Sequence, residues 1–89
     1  MLENMNERDF YKWLGKEFQA LREKKGLKQK DVAKIADIGA TTLSMFENSG
    51  KKISAYRILR LLKAIGSSME EVLGDAEKKN LPLLSMATS

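Results

Sequence analysis

The most numerous side chains in this chain that could do chemistry are the 16 lysines and arginines, and the chemistry that they favour is the binding of phosphate. Residues 12–63 hold 13 of the 16 cations and only 5 acidic residues, whereas residues 1–11 and residues 64–89 each carry a net charge of −2. Attraction to phosphate supplies most of the non-specific affinity of proteins for nucleic acid. The basic central segment therefore fits either a surface that binds a polyanion or a lysine-rich face that keeps the protein in solution.

The side chains that most enzymes and metal sites need are missing. The 89 residues include no Cys and no His, which excludes disulfides, thiolate zinc sites and an imidazole base. Ser44, Ser49, Ser67 and Ser68 therefore have no histidine to activate them, and the sequence has no glycine-rich phosphate loop. We expect no catalytic activity, no metal site and no cofactor.

The length and hydropathy of the chain fit one small soluble domain. A chain of 89 residues has room for a single modest core. No run approaches the roughly 18 consecutive apolar residues of a membrane span, and residues 1–10 are acidic where a signal peptide is basic and then apolar. We therefore expect a cytoplasmic protein without a membrane partner.

Capping residues and glycines divide the chain into helical segments. No stretch shows the two-residue alternation of a strand, so the sequence predicts an all-α fold. Asn6 is the predicted N-cap of the first helix and Gly26 its stop, while Ser68 and Glu71 form a predicted capping box before the last helix. The predicted helices are residues 7–25, residues 29–36, residues 40–48, the stretch between Ser54 and Gly66, and the stretch between Ser68 and Gly74.

The second and third predicted helices form a helix-turn-helix, because both are short and a turn at residues 37–39 joins them. Val32, Ala33 and the pair Ile35 and Ala36 are expected on the buried side of the second helix. The fourth helix is apolar over a wide arc, so we expect neighbours to contact it on several sides. The residues of this arc are Tyr56, Ile58, Leu59, Leu61, Leu62 and Ile65.

A set of residues spread over the five predicted helices follows one fixed order and spacing along the chain. These residues are Leu21, Arg22, Gly26, Leu27, Lys28, Gln29, Val32, Ala33, Ile38, Leu43, Ser44, Phe46, Glu47, Asn48, Ser54, Ile58, Leu61, Leu62, Ile65, Gly66 and Leu73. On this set, residues 14–73 resemble the lambda-repressor-like or Cro-type helix-turn-helix family, also called the xenobiotic-response-element family. The resemblance implies a compact five-helix domain that places its third helix in the DNA major groove while the second crosses the backbone.

The resemblance also implies roles for individual residues. Arg22 and Glu47 are expected to form a partly buried ion pair between the first and third helices, so that Glu47→Ala is a folding mutant. Lys28 and Gln29 are expected to contact phosphate at the start of the second helix. A larger set is expected to contact DNA at or just after the third helix, by facing bases, lining the rim of the helix or meeting phosphate. These residues are Gly39, Ala40, Thr41, Thr42, Ser44, Met45, Asn48, Lys51 and Lys52.

The sequence departs from the family pattern where base-reading side chains are usual. Lys28 stands in place of a helix-capping Ser or Thr, and Ala40 and Met45 stand in place of longer hydrogen-bonding residues. Bidentate recognition of guanine or adenine needs Arg, Lys, Asn or Gln. We therefore expect thymine-methyl contacts by Ala40, Met45 and the threonines at positions 41 and 42, and an A·T-leaning site of modest specificity.

The resemblance divides the chain into an N-terminal extension of the first helix at 1–13, a helix-turn-helix domain at 14–74 and a C-terminal tail at 75–89. The tail contains an apolar run at 81–86 with no evident place in the core. Three uses of this run stay open: it binds another protein, folds back on its own domain or crosses to a dimer partner. The residues predicted to contact a dimer or other partner are Met69, Val72, Leu73, Leu81, Leu83 and Leu84.

Two functions stay open at this point. The first is a DNA-binding transcriptional regulator, a small homodimeric repressor of phage, mobile-element or toxin–antitoxin type that reads a palindromic operator in double-stranded DNA. The second is an antitoxin-like or adaptor module that holds another protein through the apolar tail, with DNA binding secondary. In either case we expect a bacterial or phage-encoded protein of the cytoplasm, associated with the nucleoid.

Overall fold

A computed structural model describes residues 4–78 of the chain, and this part contains five α helices and no strand, which confirms the all-α prediction. The helices are α1 (Glu7–Lys24), α2 (Gln29–Ala36), α3 (Ala40–Ser49), α4 (Ala55–Ala64) and α5 (Met69–Lys78). None of these helices is both long enough and apolar enough to cross a membrane.

Hydrogen bonds at the helix ends confirm three predicted caps. The side chains of Asn6 and Ser54 each accept a bond from the backbone amide three residues further on, at 2.8 and 3.2 Å. Gly26 is left-handed, with a φ of 71°, just after α1. The amide of Leu27 can then donate to the carbonyl of Arg22 at 3.1 Å, which satisfies one of the carbonyls that a helix end leaves unpaired.

The last helix differs from its prediction at both ends. Gly74 does not stop α5, which continues to Lys78, because its φ is not left-handed and good helix formers come after it. The capping box is only half formed. Ser68 accepts from the amide of Glu71 at 3.2 Å, but the Glu71 carboxylate accepts from the Ser67 hydroxyl at 2.8 Å instead of reaching back to Ser68.

The core lies where α1 packs on α3 and where α2 packs on both α3 and α4. The rings of Phe18 and Phe46 join α1 to α3 at a centroid distance of 5.9 Å. Phe10, Tyr11 and Trp13 pack partly buried against the same core, so the first turns of α1 belong to the domain. The buried apolar residues are Leu14, Phe18, Leu21, Val32, Ala33, Ala36, Ile38, Leu43, Phe46, Ile53, Ile58, Leu61, Leu62, Ile65 and Val72.

Three large side chains that were expected inside are exposed. Ile35 is 64 % exposed, because it lies about 100° round α2 from Ala36, whose side is buried. Tyr56 and Leu59 are 67 % and 55 % exposed, so the buried side of α4 is narrower than its apolar arc. The predicted contact on several sides of α4 is therefore wrong for these two residues, and α4 keeps an apolar face that the described part of the chain leaves exposed.

Candidate nucleic-acid interface

The turn between α2 and α3 is held by backbone hydrogen bonds and one buried side chain. Asp37 is left-handed, with a φ of 56°, and its amide donates to the carbonyl of Lys34 at 3.2 Å. The amide of Ile38 donates to the carbonyl of Ala33 at 3.0 Å, and its side chain is buried. The left-handed residue turns the chain sharply, and the buried isoleucine sets the direction in which α3 leaves.

Arg60 of α4 also fixes this turn, and the sequence reasoning missed it. Its Nε donates to the carbonyl of Ala36, the last residue of α2, at 2.9 Å. Its Nη1 donates to the Tyr56 hydroxyl at 3.1 Å, and the guanidinium lies 5.6 Å from the centre of the Tyr56 ring. A cation at a helix C-terminus is favourable. Arg60 is 24 residues away from Ala36 in the sequence, so no local sequence pattern predicts this contact.

We expect Arg60→Met to destabilise the domain by about 1–2 kcal/mol, because the carbonyl at the end of α2 loses a charged donor. Urea denaturation measures this loss, and amide hydrogen exchange at Ile38 should show faster local opening of the turn. Arg57→Met is the matched control, since Arg57 is an exposed arginine one turn earlier on α4. Equal effects of the two substitutions would show that Arg60 does not hold the turn.

A buried ion pair joins α1 to α3, as the resemblance predicted for these two residues. Arg22 donates to the Glu47 carboxylate through Nε and through Nη2, both at 2.8 Å. The Glu47 side chain is fully buried, and that of Arg22 is 9 % exposed. Hydrogen bonding to Glu47 raises the pKa of Arg22 above its ordinary value; burial acts to lower it, and the charges of Glu47 and Glu23 act to raise it.

Two further groups complete this buried polar cluster. The side-chain amide of Gln29 donates to Glu47 Oε1 at 3.0 Å, and Arg22 Nη1 donates to the carbonyl of Leu27 at 2.7 Å. Every buried side-chain nitrogen and oxygen within residues 4–74 has a partner. Gln29 therefore anchors the start of α2 to α3. Its nitrogen is engaged inside the protein, while Gln29 as a whole stays half-buried at the helix end where the phosphate contact was predicted.

The outer side of α3 is exposed and carries no charge. Leu43, Phe46 and Glu47 face inward, and Glu47 is the only ionisable residue of the helix. Met45 is 44 % exposed, the largest apolar side chain on the outer side. The other predicted contact residues at or on α3 are Gly39, Ala40, Thr41 and Asn48, which are exposed, and Thr42 and Ser44, which are half-buried. This surface can offer methyl groups and hydroxyls to a partner.

Lysines lie at the borders of this surface. Lys28 is exposed at the N-cap of α2, where its side chain makes no capping bond, so amides at the start of the helix remain to meet an anion. Lys51 and Lys52 are exposed just beyond the left-handed Gly50 that ends α3. Lys52 pairs with Glu7 at 3.1 Å, but both side chains are about two-thirds exposed, so the pair contributes little stability.

The residues predicted to contact a partner fall in three groups. Met69 and Leu73 are half-buried on α5. Val72 is fully buried in the core of its own domain, so the predicted partner contact is wrong for this residue. Leu81, Leu83 and Leu84 lie outside the described residues.

Two short helices joined by a tight turn, the second with an exposed uncharged face, define a protein of the helix-turn-helix DNA-binding class. A family model described as helix-turn-helix matches residues 18–72, and the chain therefore belongs to that family. Its domain is of the lambda-repressor and Cro type, whose members are DNA-binding regulators of transcription. A comparison with curated proteins gives no match.

Proposed function

We propose that the chain regulates transcription by placing α3 in the major groove of double-stranded DNA. The observation that carries the proposal is the exposed, uncharged outer side of α3, with exposed lysines at the start of α2 and just after α3. Phosphate contacts by lysines and helix amides fix the position of a protein on the duplex, whereas groove contacts select the sequence. Lys28, Lys51 and Lys52 take the first role here and the α3 surface takes the second.

The chemistry of the α3 surface favours A·T-rich sites. Ala40, Thr41 and Met45 are exposed and offer methyl groups, which suit the thymine methyl in the major groove. Asn48 is the one side-chain amide on this side of α3, and one N–H of that amide donates to Ser44 Oγ at 3.1 Å. Methyl groups outnumber this single amide on the exposed side of α3, so apolar contacts and DNA shape supply most of the selectivity.

We further propose a homodimeric repressor that reads a palindromic operator. One domain with this short α3 surface contacts few base pairs, and a symmetric pair doubles both base and phosphate contacts. A repressor of this kind, of phage, mobile-element or toxin–antitoxin type, would act in the bacterial cytoplasm at the nucleoid. The apolar residues of the tail are compatible with an antitoxin-like or adaptor role, but they lie outside the described residues.

The test is a titration of the protein against a labelled duplex from its own upstream region and a scrambled duplex, between about 50 and 200 mM salt. Each lost phosphate contact should lower the log–log salt slope by about 0.9. We expect Lys28→Ala and Lys51→Ala to lower the slope by about this amount each on both duplexes, since phosphate contacts do not depend on sequence.

Lys63→Ala is the matched control, because it removes the same charge from the last turn of α4, beside Ile35 and outside the proposed interface. It should leave the slope almost unchanged. Preference for the upstream duplex that persists at high salt supports a sequence-selective regulator. Equal, salt-sensitive binding to both duplexes, with Lys63→Ala as harmful as the other two substitutions, contradicts the proposed interface.

A further inference from the structure

An apolar groove lies between the start of α1, α4 and the start of α5. Its volume is about 260 Å³, and no charged residue among those that the structure describes lines it. The residues that line it are Phe10, Tyr11, Leu14, Ala55, Ile58, Leu59 and Met69. The hydroxyl of Tyr11 already donates to the carbonyl of Ile53 at 3.1 Å, so the groove offers almost only apolar surface.

Leu59 gives this groove an exposed apolar edge. It is a leucine that is 55 % exposed at the groove's edge, and Phe10 and Met69 beside it are only partly buried. Covering apolar surface stabilises by about 25 cal/mol per Å². An uncharged apolar segment that reaches the groove would therefore be held there.

The chain carries such a segment in residues 80–89. These ten residues have no charged side chain, whereas 31 % of the whole chain is charged. The segment contains four large apolar side chains within six positions: Leu81, Leu83, Leu84 and Met86. The segment and the groove lining are alike in having no charged side chain. The other groove, beside Ile35, is a poorer match for the segment, because Arg60 and Lys63 line it.

The segment is also tethered within reach. α5 begins at Met69, which lines the groove, and ends at Lys78. Ten helical residues span about 14 Å from first to last, at 1.5 Å per residue. Residues 79–84 can span about 20 Å when extended, which is enough to return that distance. A tethered segment also binds at a high effective concentration, which a second copy in solution does not have.

We propose that residues 81–86 of the same chain dock in the groove between α1, α4 and α5, with leucine side chains placed against Leu59, Phe10 and Met69. This contact is separate from the proposed DNA interface, since no groove residue is among the predicted DNA contacts. The occupant is a segment of this chain and neither a second copy nor another protein.

The absence of cysteine allows a direct test in the full chain. A nitroxide spin label on Ser85→Cys should remove most of the amide NMR intensity of Phe10, Leu59 and Met69. The control label, on Lys24→Cys, sits about 21 Å along α1 from Phe10 and should leave that signal intact. A mixture of spin-labelled chains without ¹⁵N and unlabelled ¹⁵N chains reports contacts between copies alone.

Loss of groove signals in the single-chain sample, with none in the mixture, supports docking of the chain's own tail. Equal loss in the mixture shows that a second copy covers the groove, and this overturns the proposal. No loss at these three residues also overturns it. As a second measurement, Leu84→Asp should shift the amide signals of Leu59 and Met69, whereas Thr88→Asp, with the same charge outside the apolar run, should not.

Discussion

Replacing Glu47 with alanine is expected to lower the free energy of unfolding by about 3–5 kcal/mol. The fully buried Glu47 carboxylate accepts two hydrogen bonds from Arg22 and one from Gln29. Without it, the Arg22 guanidinium stays charged in a buried place and keeps only its bond to the Leu27 carbonyl among these contacts. The whole stability of a domain of this size is about 5–10 kcal/mol, so the variant should be largely unfolded in mild denaturant.

Glu23→Ala is the matched control for this prediction. Glu23 is also an acidic neighbour of Arg22, at 4.0 Å, but its side chain is 64 % exposed. Its loss should change stability by no more than about 0.5 kcal/mol. Urea denaturation followed by Trp13 fluorescence compares the two variants. Similar midpoints for Glu47→Ala and Glu23→Ala would show that burial of the pair does not decide its contribution.

A double variant separates the pair from the charge that it leaves behind. Replacing both Arg22 and Glu47 with apolar residues of similar volume removes the stranded charge, so much of the lost stability should return. The carbonyl of Leu27 and the amide of Gln29 then lose their partners, which limits the recovery. A double variant as unstable as Glu47→Ala would locate the cost in packing and not in the unpaired charge.

The parts of the fold that could be predicted from the sequence depend on local patterns. Asn6, Ser54 and Gly26 cap or end helices through contacts with residues only a few positions away. Their residue types therefore predict the helix ends that the structure shows. Gly74 shows the limit of the same rule. A glycine stops a helix only when the chain turns left-handed there, and that depends on the residues after the glycine as well as on the glycine itself.

Contacts between distant segments account for what the sequence could not predict. Arg60 reaches the end of α2 only because α4 packs beside it, and Gln29 reaches Glu47 only because α2 and α3 meet. The exposure of Leu59 likewise depends on which neighbours α4 has. The Arg22–Glu47 pair could be predicted only from the family resemblance, because proteins of this family often have an ion pair at these two positions.

Gly15 is a position whose role appears only in the structure, and Gly15→Ala should lower stability by about 2–3 kcal/mol. A Cβ atom there would overlap the backbone carbonyl oxygen of Phe46 in α3, and would lie 3.1 Å from its carbonyl carbon and 3.4 Å from the Cα of Glu47. Backbone atoms cannot rotate away as a side chain can. α1 and α3 would have to separate, which strains the Phe18–Phe46 contact and the buried ion pair together.

Gly74→Ala tests the same chemical change with the opposite expected sign. Gly74 also lies inside a helix, but a Cβ there meets no atom of the described residues within 4 Å, apart from the neighbouring backbone of its own helix. Alanine should therefore raise stability by about 0.5–1 kcal/mol through the lower conformational entropy of the unfolded chain. Thermal and urea unfolding of the two variants should move the midpoint in opposite directions. If Gly15→Ala also stabilises, α1 and α3 do not approach as closely as described, and the position of α3 on the domain must change with them.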